Sequence, residues 1–214
     1  MSGIDGLTIA VPRGALFKET LDVLDGIGID TQPVRDNDRR LLFEECGIVT
    51  MRPSDVPTYV EAGAADVGIT GKDVLREQSE REVYELLDLG FGRCTMVLAT
   101  VDGPDPGAEA LRRLGVMRVA TKYYKIAAKY FEETGRQAEI VEVKGSVELA
   151  PLTGLVEAIV DLTATGTTLR ENGLIVREEL FVATARLIAN PVAHKLKAEA
   201  IDEMLRRLRE RQPA

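Results

Sequence analysis

Short apolar, β-branched runs alternate with amphipathic helical patterns along this 214-residue chain, and that alternation constrains its fold more than any other feature. Residues 7–11 (LTIAV), 47–52 (GIVTMR), 65–70 (ADVGIT), 83–89, 94–100, 117–121 (MRVAT), 138–143 (AEIVEV) and 157–162 (EAIVDL) read as strands. Between them, 14–28, 54–63, 72–78, 108–115, 125–135, 146–154 and 166–172 read as helices, the first with Leu16, Leu21 and Leu24 on one stripe. Ser54 is placed to cap the second of these helices and Gly63 to end it. A long strand is expected over 174–189, then an amphipathic helix carrying Leu196, Ala200, Ile201, Met204, Leu205 and Leu208. Such a rhythm implies an α/β fold with mainly parallel strands covered on both faces. Domain size favours two lobes over one very wide sheet, and VDGPDPG (101–107) is either a boundary or only a turn.

Composition removes several classes of function. The apolar runs are too short to span a bilayer, and the N-terminus lacks the basic start and apolar core of a secretion signal, so a cytoplasmic, non-membrane protein is expected. A net charge of −8 argues against a nucleic-acid-binding face. Cys46 and Cys94 form no C-x-x-C pair, which fits core or strand thiols in a reducing compartment. His194 is the one histidine; without a G-x-S-x-G elbow it reads as a surface residue rather than a triad member. GITGKD (68–73) lacks the upstream glycine and following Ser/Thr of a phosphate-binding P-loop, and no G-x-G-x-x-G follows a strand.

One stretch stands apart. EAIVDL places Asp161 near the carboxyl end of a strand, where ligands bind in α/β folds, and TATGTT then turns into a helix. Small residues let backbone N–H groups approach an anion, Gly166 permits the turn, and threonine hydroxyls add donors. A carboxylate for sugar hydroxyls followed by a phosphate nest describes a ribose 5-phosphate site; the plain alternative is a turn with Thr as helix cap. Arginines also recur at strand ends: Arg13, Arg39 with Arg40, and Arg52. Singly each is a surface residue, and together they could surround a polyanion.

The segments AVPRGALFKETLDVL, RPSDVPTYVEAGAADVGITGKDVL, RVATKY, VKGSVELAPLTGLVEAIVDLTATGTTLRENGL and LIAN, in that order, resemble the short-form ATP phosphoribosyltransferase family across essentially the whole chain. The resemblance implies a two-lobed, periplasmic-binding-protein-like fold with a cleft between lobes. Residues 1–93 plus 180–214 map to lobe one, and 94–179 to lobe two with the loop that binds phosphoribosyl pyrophosphate (PRPP). It implies attack of an adenine ring nitrogen of ATP on the anomeric carbon of PRPP, assisted by Mg²⁺, in the first step of histidine biosynthesis. By position, Asp161 binds ribose hydroxyls and the loop Thr163, Ala164, Thr165, Gly166, Thr167 and Thr168 binds the 5-phosphate. Arg13 and Gly14 face ATP, Arg39 and Arg52 are catalytic residues facing pyrophosphate, and Glu148 lies at the site edge; no metal ligand is assigned. It also implies a homo-oligomer, dimer or larger, and a hetero-oligomer with a regulatory subunit resembling histidyl-tRNA synthetase.

The sequence departs from the family pattern at Ala15, where a second basic residue is usual, at Tyr124-Lys125, and at PVAHK after LIAN. Two rival readings remain: a solute-binding protein of the same fold, which would carry a signal peptide, and a purine-type phosphoribosyltransferase, whose loop has two adjacent acids where this chain has Asp161-Leu162.

Overall fold

The computed structural model describes residue 4 and residues 6–37 and 39–211; the outermost ends of the expected first lobe (1–3 and 212–214), with residues 5 and 38, lie outside them. The chain forms β1 (Ile9–Pro12), α1 (Phe17–Gly26), α2 (Gln32–Asp36), β2 (Leu42–Phe43), β3 (Ile48–Met51), α3 (Val56–Glu61), β4 (Val67–Gly71), α4 (Lys72–Glu77) and β5 (Tyr84–Asp88). It continues with β6 (Cys94–Val101), α5 (Pro106–Leu114), β7 (Met117–Thr121), α6 (Tyr124–Glu133), β8 (Ala138–Glu142), α7 (Leu149–Leu152), β9 (Ala158–Thr163) and α8 (Thr167–Glu171). Then come β10 (Leu174–Ala183), β11 (Ala185–Ala189), α9 (Pro191–Leu196) and α10 (Ala198–Arg211).

These elements divide into two compact units, Met1–Gly92 with Thr184–Ala214, and Arg93–Ala183. The first unit holds a sheet of order β2-β3-β1-β4-β11-β5. Its strands β1, β3, β4 and β5 run one way, β2 and β11 the other. The second holds β10-β6-β9-β7-β8, in which only β6 opposes the rest. Each sheet is thus mostly parallel in direction, as crossover helices require, with one inner strand reversed.

Both faces of both sheets are covered, because the strand residues alternate between two apolar layers. In the first unit Ile9, Val11, Ile69 and Leu187 pack with Leu21, Leu24, Ile201, Met204 and Leu208, while Ala10 and Ile188 meet Val56 and Val60 on the other side. In the second, Met96, Val119 and Val160 face Ile126 and Phe131, while Val97, Ala120 and Ile159 face Val147 and Leu169. In α10 the buried positions Ile201, Met204, Leu205 and Leu208 keep the i, i+3, i+4, i+7 spacing. Each such side chain contributes about 1.5–3 kcal/mol by leaving water.

Three sequence expectations change, and one open alternative is decided. The run 174–189 is two strands: β10 pairs with β6 in the second unit and β11 with β4 and β5 in the first, broken at Thr184. VDGPDPG is a turn inside the second unit, where Asp105 caps α5 by accepting from the N–H groups of Gly107 and Ala108. Ser54 caps nothing: its hydroxyl donates to Asp55, the residue at the start of α3, whereas Gly63 does close that helix in the left-handed region (φ 72°). Leu196 is 80% exposed, because the C-terminal helix is interrupted at Lys197, whose ammonium is drawn to Asp66 and the Gly6 carbonyl. Cys94 lies in β6, while Cys46 sits in the β2–β3 turn, where burial pushes its thiol pKa up. His194 is half-buried, its ring edge-on to Tyr84 with centroids 5.5 Å apart. No helix among the described residues is long and apolar enough to cross a membrane.

Candidate functional site

In the second unit β7, β8 and β9 are parallel; β7 and β8 end opposite each other at Thr121 and Glu142, and β9 runs on to Thr163 at the same edge of the sheet. The register Val119↔Ala158 and Ala120↔Ile159 continues to set Lys122 opposite Asp161. Asp161, the fourth residue of β9, is 9% exposed. Its Oδ1 accepts the Leu162 N–H at 2.8 Å and lies 3.3 Å from Lys122 Nζ. Its Oδ2 has no partner among the described residues. Burial pushes the Asp161 pKa above the ordinary carboxylate range, and Glu148 adds to the rise; the Lys122 charge and the Leu162 N–H work against both.

The loop that follows is shaped by its own hydroxyls. Thr163 Oγ1 accepts the Gly166 N–H at 2.7 Å, and Gly166 adopts a left-handed conformation (φ 71°) that turns the chain into α8. The N-cap position of α8 is Gly166, not a threonine as the plain reading has it, although Thr165 Oγ1 accepts the Thr167 N–H at 3.4 Å. Thr165 and Thr167 also share a 2.9 Å hydroxyl contact. The guanidinium of Arg170 spans the turn, donating to the Thr165 carbonyl (2.9 Å) and Thr167 Oγ1 (3.1 Å). Ala164, Thr165, Thr167 and Thr168 are exposed, and the N–H groups of Ala164 and Thr165 have no partner among the described residues. Leu169, buried in the core, anchors the loop from below. Open N–H groups, hydroxyls and a guanidinium on one turn are suited to an anion.

Glu148, half-buried at the start of α7, lies close enough to Asp161 to perturb it. Lys122 and Arg170 are absent from the residues singled out by sequence. Lys122 falls inside the quoted segment RVATKY, but its partner is distant in the chain and only strand register joins them; Arg170 looks like any polar helix residue.

In the first unit, β1 and β3 end side by side with Pro12 opposite Met51, so Arg13 and Arg52 are neighbours at that edge. Arg13 is engaged: Nε donates to Thr50 Oγ1 (2.9 Å), Nη2 to the Arg40 carbonyl (2.8 Å), and its guanidinium stands 5.6 Å from the Phe17 ring centre. That contact brings the 39–40 turn to the same edge and separates its two arginines. Arg40 is spent on Glu45 through two bonds of 2.6 and 2.8 Å. Arg39 and Arg52 are exposed, and their side chains have no partner among the described residues. Gly14, beside Arg13, takes a left-handed φ of 84° in the tight turn before α1. Asn190 of the LIAN segment is structural: it caps α9 through the Val192 and Ala193 N–H groups and donates to the carbonyls of Val60 and Glu61.

Two α/β units, each with a reversed strand inside a mostly parallel sheet, place the chain in the class of bilobal ligand-binding folds. The VFT2 domain of BvgS from Bordetella pertussis superposes with a TM-score of 0.55 at 16% identity over 96% of this chain and 93% of that one, a likeness of fold alone. The HisG:HisZ ATP phosphoribosyl transferase complex from Thermotoga maritima contains a chain that superposes with a TM-score of 0.80 at 34% identity, over 95% of this chain and 96% of that one. ATP phosphoribosyltransferases from Rubrobacter xylanophilus and Bacillus licheniformis are 54% and 47% identical to it, covering 94% of this chain and 94% and 93% of their own. The model of the ATP phosphoribosyltransferase family (HisG) matches residues 52–210. The chain belongs to the ATP phosphoribosyltransferase family, the transferases of the first step of histidine biosynthesis.

Proposed function

We propose that the chain transfers the phosphoribosyl group of PRPP to an adenine ring nitrogen of ATP, releasing pyrophosphate, with Asp161 and the 163–168 loop as the PRPP site. The observation that carries the assignment of residues is Asp161 itself: a buried strand-end carboxylate with one oxygen held and the other open, directly before a turn rich in free donors. Asp161 Oδ2 accepts ribose hydroxyls. Thr163, Ala164, Thr165, Gly166, Thr167 and Thr168 take the 5-phosphate through backbone N–H groups and hydroxyls, with Arg170 bracing the turn. Glu148 borders the site.

The attacking nitrogen is unprotonated at neutral pH, so the reaction needs no general base, and a chain with one histidine loses nothing by it. What the transition state needs is electrostatic: charge develops on the departing pyrophosphate as the anomeric carbon becomes cationic. Arg39 and Arg52, exposed and with no side-chain partner among the described residues, supply positive charge for pyrophosphate. Arg13 and Gly14 serve ATP; Arg13 does so from a fixed position, since Thr50 and the Arg40 carbonyl already hold it.

Magnesium belongs to this reading as a companion of the polyphosphates. Groups of three His, Cys, Asp or Glu side chains able to hold a metal do not occur among the described residues, and the ion would be held mainly by substrate oxygens. When bound, it neutralises pyrophosphate charge.

The same reading includes a cytoplasmic enzyme, homo-oligomeric and joined by a histidyl-tRNA-synthetase-like regulatory subunit; the Thermotoga maritima relative was solved as a HisG:HisZ complex. A coupled assay with ATP, PRPP and pyrophosphatase tests the activity through phosphoribosyl-ATP absorbance. Absence of turnover, with and without such a subunit, would refute it.

A further inference from the structure

A buried carboxylate that must accept hydroxyl protons is in a contradictory position. Desolvation favours its neutral form, and a protonated acid would present a donor where an acceptor is required. Among the described residues, two charged groups act on Asp161: Glu148 at the start of α7, which aggravates the problem, and Lys122 just past β7, which relieves it. Lys122 is placed for this by strand register. The parallel pairing of β7 with β9 fixes it opposite Asp161, and its ammonium also lies 5.1 Å from the ring centre of Tyr123. It contacts Oδ1, the oxygen already bound to the Leu162 N–H, and leaves Oδ2 open.

We propose that Lys122 is a positioning residue for the phosphoribosyl site: its ammonium holds Asp161 Oδ1, so that the carboxylate stays charged and presents Oδ2 to the sugar hydroxyls. The proposal rests on the reading that Asp161 receives those hydroxyls. An exposed ion pair between two mobile side chains adds little. This one differs because its acid is buried and fixed in a strand, so the Lys122 charge acts on a group that water scarcely reaches.

The test uses the full chain as wild type, Lys122→Met, Lys122→Arg and Asp161→Asn. Carboxyl carbon NMR, with Asp161→Asn to assign the resonance, follows the Asp161 titration without ligand. Calorimetry then measures PRPP affinity at pH values spanning the Asp161 midpoints so measured. Lys122→Met is expected to move the Asp161 midpoint upward and to weaken PRPP several-fold, with the loss growing as pH falls; Lys122→Arg should restore both profiles. An unmoved midpoint in folded Lys122→Met overturns the proposal. So does a PRPP loss of equal size at every pH, which is what a merely structural role would give. Wild-type PRPP affinity in Asp161→Asn would instead overturn the underlying sugar-binding reading, whatever the midpoint in Lys122→Met.

Discussion

Replacing Asp161 by asparagine should move binding and stability in opposite directions. The amide keeps an oxygen able to accept the Leu162 N–H, so the local backbone bond survives. What is lost is a charged acceptor at Oδ2. A hydrogen bond to a charged group contributes about 1.5–3 kcal/mol, so PRPP affinity should fall roughly 10- to 150-fold. Stability should respond the other way. Burial raises the folded-state pKa of Asp161 above its unfolded value, so the unfolded chain releases this proton first as pH rises. The contribution of this group is therefore most favourable in acid, below the unfolded pKa, and is lost as pH climbs through the folded pKa. At neutral pH the wild type carries a buried charge that asparagine removes. The Lys122 side chain left behind is 44% exposed and remains hydrated, so no buried charge is orphaned. The net effect should be a gain in stability at neutral pH, seen as a higher Tm. Thermal melts at neutral and acid pH, with calorimetry for PRPP, decide the matter: the gain should shrink in acid, where the wild-type carboxyl is neutral. A folded variant that melts lower than wild type at neutral pH and binds PRPP normally would refute the reasoning.

Other perturbations separate the roles of neighbouring groups. Gly166→Ala should cost about 1–2 kcal/mol for the left-handed backbone; the new Cβ would lie 2.9 Å from Arg170 Nη1, the movable tip of a side chain, so sterics add little to stability. It should raise the KM for PRPP by displacing that guanidinium from Thr165 and Thr167, a loss measurable in steady-state kinetics and already present in Arg170→Ala. Arg52→Ala should slow the chemical step by about 10²-fold with little change in ATP binding, and a normal burst rate in pre-steady-state kinetics would contradict it. Asn190→Ala, which removes two capping bonds at the start of α9 and two bonds from there to the end of α3, should lower stability by about 2–3 kcal/mol in urea melts without altering the KM of the folded enzyme. Activity of the isolated chain should be insensitive to added histidine, since feedback requires a second site with unequal affinity for two states; strong inhibition without a partner subunit would disprove that.

Much of the architecture is local and therefore readable. β-Branched runs such as MRVAT become strands because they suit a surface buried on both sides, and the spacing of Ile201, Met204, Leu205 and Leu208 makes α10 one-sided. Asp161 and the Gly166 turn also announce themselves, since a lone acid closing an apolar run and a glycine among threonines have few other uses. What escaped depends on partners far along the chain. Nothing local tells residue 184 that the strands on either side of it belong to different sheets, because Val182 and Leu187 are equally strand-like. Leu196 fits a helical stripe until Lys197 is drawn to Asp66 and Gly6. Arg40 resembles Arg39 until Glu45 claims it. Lys122 needed the register of two strands that are adjacent in space and distant in sequence.

The position of β11 has a consequence for the order in which the molecule can be made. The second unit is one uninterrupted stretch, Arg93–Ala183, whose two ends are paired neighbours, Cys94 opposite Ala183. It can complete its sheet as soon as it leaves the ribosome. The first unit cannot: β11 lies between β4 and β5, so until residues 185–189 emerge, β5 has no neighbour to bond and β4 has a bare edge. The early-synthesised half must wait, with an unpaired strand edge of the kind that invites aggregation, for a segment made after the later half is finished. Stalled nascent chains ending near residue 183 should therefore resist protease across 93–183 and be cut within 1–92.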